Sequence, residues 1–384
     1  MERIYLKGLF VCFVQFVLFG ALYWHFTERI EESFSFEYYS KRSNKEESKT
    51  EKFLEKEDEL WIEPTPYNSK KWGKTQSHEN FNYNEAYFSN SAPPNFIGAG
   101  AKKCGTGAFK FFMGHHQHFK QARGGEAHFI YDDSKWALGW PYYQKYFKGY
   151  GPNDGNVIFE GTPRYMVENL VPERVKAMNP LMKIVFVFCD PIKRLKSDFM
   201  HVPLTKEPHN RIIGAYSKVG DIIDSALPDI KSKLKLHGED YITDIYRHDI
   251  AHSLFTNSIY VHHLKHWLEY FPKNQILILE GEEILKSPQK MAKKTQKFLN
   301  LEEEIKDEHF FINKTSGYYC IKNPATLEPH CMSTKAKGRS SKVDPEVLEL
   351  SEEQEKELNE FFLPFNLQLC EIIGPSLSFL KHIC

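Results

Sequence analysis

Two separate stretches of this chain each run from a short apolar strand through a turn into a helix, and they dictate how the rest can be arranged. The first is Asn95-Phe-Ile-Gly-Ala-Gly-Ala-Lys-Lys-Cys-Gly-Thr-Gly-Ala108. The second is Ile184-Val-Phe-Val-Phe-Cys-Asp-Pro-Ile-Lys-Arg-Leu-Lys-Ser-Asp198. A strand that leads through a tight loop into a helix aims unsatisfied backbone N–H groups and the positive helix end at one spot, where an anion binds. Two such ends imply a ligand with two phosphate-like groups.

The first loop matches neither familiar glycine motif. A dinucleotide fingerprint begun at Gly98-x-Gly100 needs glycine where Lys103 stands. A Walker A loop begun at Gly100 has Gly105 in place but needs lysine where Thr106 stands, which argues against a nucleotide kinase. Here Lys102 and Lys103 precede the turn, so an ammonium reaches the anion from the loop's leading side. In the second stretch, Asp190 reads as an N-cap and Pro191 as the first helical residue. Lys193, Arg194, Lys196 and Ser197 then fall on the first turns of that helix.

Further apolar runs at Val157–Glu160 and Ile276–Leu279 join Phe96–Ala99 and Ile184–Phe188 as strand candidates, each reading as buried on both faces. Helical stretches lie between them, one around Asn257–Tyr270, and a late one opens at Ser351-Glu-Glu-Gln354, a capping box. Buried strands alternating with helices give an α/β fold with a parallel central sheet, and ligands gather at the carboxyl ends of its strands. With 384 residues, 41% of them hydrophobic, the chain can build one large core or two modest ones. The formal net charge of −1 provides no global field to recruit a polyanion, nucleic acid included, so any polyanion site is a local basic patch.

The first residues have another character. Arg3 and Lys7 precede an apolar run from Gly8 to Trp24, and Glu28, Glu31 and Glu32 follow it. The run is at the short end of a membrane span, and cations before it hold the N-terminus in the cytosol. Gly20-Ala21 offers a signal peptidase an alternative, but Leu22-Tyr23-Trp24 has the character of an interfacial anchor. The expected organisation is a cytoplasmic tail (1–7), a transmembrane signal anchor (8–24), a Lys/Glu-rich stem (25–92) and a lumenal domain (93–384).

The two loops resemble the 5′-phosphosulfate loop and the 3′-phosphate segment of sulfotransferases that use 3′-phosphoadenosine 5′-phosphosulfate (PAPS). In the heparan sulfate branch the first reads I-I-G-V-R-K-G-G-T-R-A-L and the second L-R-D-P-x-E-R-x-x-S-D-Y. Further matches follow in order: Glu126-Ala-His128-Phe129 against E-V-H-F, Glu160-Gly-Thr162-Pro163 against E-K-T-P, and Lys337-Gly338-Arg339 against S-K-G-R. The resemblance runs from about Pro94 to Leu369 and is greatest to the glucosaminyl 3-O-sulfotransferases, with N-deacetylase/N-sulfotransferases next.

That resemblance implies a P-loop-like fold and transfer of a sulfuryl group from PAPS to a glycosaminoglycan, at the 3-OH of glucosamine in heparan sulfate. It implies a Golgi membrane protein of type II topology. It assigns Lys103 as the leaving-group cation, Glu126 as the base and His128 as its support. Lys102, Lys103, Cys104, Gly105, Thr106, Gly107, Cys189, Ser197, Lys337, Gly338 and Arg339 would hold the donor, and Glu126, Thr162 and Arg164 would meet the acceptor. No metal is implied. Three cations of the family pattern are missing, replaced by Gly107, Cys189 and Gly161, which leaves Lys102, Lys193, Arg194 or Arg164 to compensate. The alternatives are sulfation at another glycan position, such as the glucosamine nitrogen, or a weakened family member that binds glycan without sulfating it.

Of seven cysteines, Cys104 and Cys189 in the two loops are expected as free thiols. Cys320 and Cys331 flank a short turn-rich loop and are expected to form a disulfide in a lumenal compartment. Cys370 and Cys384 are left open. Asn313-Lys-Thr315 is an N-glycosylation sequon if the domain is lumenal.

Overall fold

The computed structural model describes residues 91–151, 155–201, 216–242, 250–332 and 345–384. The expected tail, anchor and nearly all of the stem lie outside them, as do Lys337, Gly338 and Arg339. Among the described residues no helix is long and apolar enough to cross a membrane.

Five parallel strands form the central sheet: β1 (Phe96–Gly100), β2 (Phe119–Gln121), β3 (Val157–Gly161), β4 (Lys183–Phe188) and β5 (Ile276–Glu280). Their order is β2-β3-β1-β4-β5. The four strands legible in the sequence are all present within a residue or two. The correction concerns β5, which is half-buried along most of its length because it is an edge strand and not a central one. Strand β2 has three residues, too short to leave a period-2 pattern.

The helices that matter to the site are α1 (Thr106–Met113), α2 (Leu170–Met178), α3 (Pro191–Phe199), α4 (Val219–His237), α5 (Tyr260–Leu268), α6 (Gly281–Lys286), α7 (Pro288–Leu299) and α8 (Glu352–Ile373). Both cap readings hold. The Asp190 carboxylate accepts the Lys193 N–H at 2.8 Å, and Ser351 and Gln354 exchange bonds at 3.1 Å. Helix α1 packs on α6 and α7, while α8 lies against α3, α4 and α5.

The apolar strands build an aromatic core. Phe96 of β1 sits 5.2 Å from Phe159 of β3 and 6.3 Å from Phe109 of α1, with all three rings buried. On the other side of β1, Phe186 meets Trp267 of α5 edge-on at 5.5 Å, and Phe188 stacks on Tyr260 at 4.5 Å. Burying each such ring contributes roughly 1.5–3 kcal/mol, so this cluster holds α1 and α5 onto the sheet. A small antiparallel sheet, β6 (Phe310–Ile312), β7 (Tyr319–Lys322) and β8 (Pro329–Cys331), stands apart in the chain. Cys320 pairs in register with Cys331 and the two are bridged, as expected. Asn313 lies at the β6–β7 turn, where its side-chain oxygen accepts the Thr315 and Ser316 N–H groups. Cys370, near the end of α8, is bridged to Cys384.

Candidate active site

The connection leaving β1 runs to one side of it and the connection leaving β4 to the other. The chain direction therefore switches between these neighbouring strands, and a crevice opens there beyond their carboxyl ends. Both loops singled out in the sequence meet at this point. Ala101 N–H donates to Val187 O at 2.9 Å, which keeps the two strand exits level.

The two helix starts differ. Gly105, the N-cap of α1, sits at φ 100 with no side chain capping the first turn, so the backbone donors there suit an outside anion. Helix α3 already carries its own carboxylate, Asp190. Lys103 is a left-handed lysine (φ 74), a conformation that costs an L residue roughly 1–2 kcal/mol. Burial lowers the pKa of its ammonium, opposed by the nearby Asp198 carboxylate. Thr106 begins α1, and Ser197 is half-buried on α3. No heavy atom lies within 4 Å of a Cβ built at Gly107, so the arginine missing there is not missing for want of room.

Each of the expected compensating cations faces a carboxylate of the chain itself, and Arg194 is taken up inside the core. Arg194 is fully buried and donates to Asp198 at 2.9 Å, to Ser258 and to the Leu254 carbonyl, so it anchors α3 instead of facing a ligand. Lys102 lies 3.0 Å from Asp198, Lys193 is 3.4 Å from Glu282, and Arg164 is 2.7 Å from Glu168.

One expectation is overturned. Cys104 and Cys189 are not free thiols: they form a disulfide, with Cα atoms 5.3 Å apart and 85 residues of sequence separation. The physical reason is strand adjacency. Residues that follow two paired parallel strands emerge side by side, and sequence spacing carries no record of which strands pair. The bridge is buried against the Tyr260 hydroxyl, which donates to Cys189 O at 2.9 Å. Gly281 must lack a side chain here, because a Cβ would come within 2.1 Å of Cys104 O.

The acceptor side is built on the end of β3. Glu160 is fully buried, and burial raises its pKa. Its carboxylate accepts from Thr162 Oγ1 at 2.6 Å, from Tyr143 at 3.3 Å and from the Ala127 N–H at 3.4 Å. The neighbouring backbone is fixed in the same way, His128 N–H to Thr162 Oγ1 at 3.4 Å and Phe129 and Ile130 N–H to the Tyr165 hydroxyl at 3.3 Å. Four consecutive N–H groups are thus held by three side chains, which sets the Glu126–His128 segment in place. Thr162, expected to touch the acceptor, is instead fully buried and braces this segment from beneath.

Glu126 is partly exposed, with His128 Nε2 at 3.6 Å and Lys110 Nζ of α1 at 3.8 Å. The other ring nitrogen of His128 meets the Tyr131 hydroxyl at 3.2 Å, and Arg164 lies 4.5 Å over the Tyr131 ring. Glu160, Tyr165 and Lys110 do not stand out in the sequence as site residues. For Glu160 a signal is present, a carboxylate ending an otherwise apolar strand. A small gap lined by Gly98, Gly100, Thr106, Lys110, Gly161 and Pro163, with room for no more than about one water, lies beneath the donor loop. A partly exposed carboxylate, Glu126, and a half-buried lysine, Lys103, are groups suited to take a proton from a hydroxyl and to neutralise a departing anion.

Residues 93–369 match the Sulfotransferase domain family. The chain belongs to that family. It is similar to human heparan sulfate glucosamine 3-O-sulfotransferase 3B1, at 31% identity over 75% of this chain and 66% of that protein. The human 3A1 protein is 32% identical over 73% of this chain and 61% of its own length. Human 3-O-sulfotransferase 6 is 30% identical over 73% and 72%. The chain thus spans somewhat less than two thirds of the first two relatives. Among solved structures, a sulfotransferase from Alicyclobacillus acidocaldarius aligns with a TM-score of 0.49 at 18% identity, covering 76% of this chain and 99% of that one. As a sulfotransferase-domain protein, the chain carries its α/β sheet, its glycine loop and its Glu126 segment inside the matched region.

Proposed function

We propose that this sulfotransferase-domain protein transfers a sulfuryl group from PAPS to a hydroxyl of heparan sulfate, at the 3-OH of glucosamine. The observation that carries the reading is the path of α1. It opens in the glycine loop at Thr106, and one turn later its Lys110 stands 3.8 Å from Glu126, so one helix touches both the donor loop and the base. The names of the 3-O-sulfotransferase relatives support the acceptor class.

The residues at the donor loop suit a phosphosulfate: an uncapped helix start at Gly105 and a half-buried lysine, Lys103, beside it. When bound, PAPS would supply the sulfuryl group, its 5′-phosphate leaving with the bonding electron pair. Lys103, with the first N–H groups of α1, neutralises that charge. Glu126 takes the acceptor proton as the hydroxyl oxygen bonds to sulfur, with His128 orienting the carboxylate. Such transfer depends mainly on positioning and charge stabilisation.

We further propose that residues 8–24 anchor the protein in the Golgi membrane with residues 25–384 lumenal, where the disulfides would persist and Asn313 would be open to glycosylation. Protease digestion of sealed vesicles tests this, with protection of the body expected and cytosolic digestion contradicting it. The catalytic test is incubation of the protein with radiolabelled PAPS and a glycan panel, where label on heparan sulfate is expected and binding without label would support a glycan-binding member instead.

A further inference from the structure

Lys110 is not where a surface lysine would be. Its side chain is about a quarter exposed, and its ammonium donates to the Gly161 carbonyl at 3.1 Å while facing Glu126 at 3.8 Å. Both the stem and the backbone of the residue are fixed. A Cβ added at Gly161 would come within 3.3 Å of Lys110 Cδ, so the lysine stem lies over the glycine. The Lys110 carbonyl accepts the Gln121 side-chain amide at 2.7 Å.

Gly161 explains why this cation comes from a helix. Its Cβ would sit 2.7 Å from the Phe159 ring, and a Cβ at Gly98 would sit 2.6 Å from the same ring. Phe159 is a buried member of the aromatic core and cannot swing aside. With that ring in place, β3 cannot present a side chain from position 161, which is where the family pattern E-K-T-P has its lysine. The space is filled from α1 instead.

We propose that Lys110 is a positioning residue for Glu126, acting beside His128: it holds the base in place and ties its placement to the donor loop through α1. Thr106 and Lys110 are one turn apart, so they share a face of that helix. A donor that orders the start of α1 therefore also sets the cation that aligns the base. This inference rests on the sulfotransferase reading above. In the transfer step the proton leaves the acceptor hydroxyl for Glu126, the O–S bond forms and the S–O bond to the phosphate breaks. Lys110 bonds to none of the reacting atoms.

The test is a kinetic cycle of K110M, E126Q and K110M/E126Q, with binding of 3′-phosphoadenosine 5′-phosphate (PAP) measured separately by calorimetry. K110M should lower kcat roughly ten- to a hundredfold, the scale of a misplaced catalytic group, and leave PAP affinity within about twofold. In the E126Q background the same change should cost less than about threefold, since residues that act as a unit are not additive. K110R should recover most of the loss, and ethylamine should restore K110A, which a packing role would not allow. Additive losses, or a fall in PAP affinity matching the fall in kcat, would overturn the assignment. Wild-type protein that transfers no sulfuryl group to any hydroxyl acceptor would instead refute the reading beneath it, and the proposal with it.

Discussion

Opening the Cys104–Cys189 bridge is the perturbation with the largest expected consequence for stability. It closes a span of 85 residues, whereas the Cys320–Cys331 and Cys370–Cys384 bridges close 11 and 14. In the chain-entropy treatment these spans correspond to about 4.6, 2.8 and 3.0 kcal/mol of destabilisation of the unfolded chain. Losing the buried sulfur contacts adds roughly 1 kcal/mol per residue in an alanine variant. A domain typically has about 5–15 kcal/mol in hand, so C104A/C189A should lose a third or more of it. Urea unfolding of the wild type, both single variants and the double variant is the assay. Each single substitution already removes the bond, so each should cost nearly as much as the pair. Two small losses near 1 kcal/mol that simply add would refute the reasoning, because they would report packing and no cross-link. The same variants report on function: the bridge joins the two segments proposed to hold the donor, so PAP should bind more weakly to the opened protein.

Glu126→Gln should keep PAP affinity and lower kcat about a hundredfold, the usual worth of a positioned base; full activity would remove Glu126 from the mechanism. Lys103→Ala should weaken PAP binding and turnover together, because the cation acts before and during transfer, and an effect on one alone would contradict its role. Burial raises the Glu160 pKa above its ordinary 4.5, so the folded state binds this proton more tightly than the unfolded chain. The associated stability is therefore full below about pH 4.5 and lost as pH rises through the folded value. Each tenfold difference in proton affinity between the folded and unfolded chains is worth about 1.4 kcal/mol. E160Q, always neutral, should gain in Tm over wild type as pH rises from there, and parallel Tm curves would refute a buried charge.

Much of this arrangement is legible in the sequence alone. Strands and caps come through because Phe96–Ala99 and Ile184–Phe188 are short apolar runs closed by strong signals, and Asp190-Pro191 and Ser351-x-x-Gln354 fix helix starts by local chemistry. What is hidden depends on neighbours far away in sequence. The Cys104–Cys189 bridge follows from the pairing of β1 with β4, and the half-buried state of β5 from its place at the edge. The commitment of Arg194 to Asp198 and Ser258 follows from how α3 packs, not from its own segment. Lys110 is invisible for a related reason: on α1 it reads as one lysine among phenylalanines, and its meaning lies in the side chain that the Phe159 ring forbids at Gly161.

In the function proposed above, Glu126 and the glycine loop form one sulfuryl-transfer site acting on glucosamine 3-OH. The most direct measurement is digestion of heparan sulfate labelled from radioactive PAPS by this protein, followed by disaccharide analysis. Label is expected on the 3-O position of glucosamine, present with wild type and reduced about a hundredfold with E126Q. Label confined to another position, or equal label with E126Q, would contradict it.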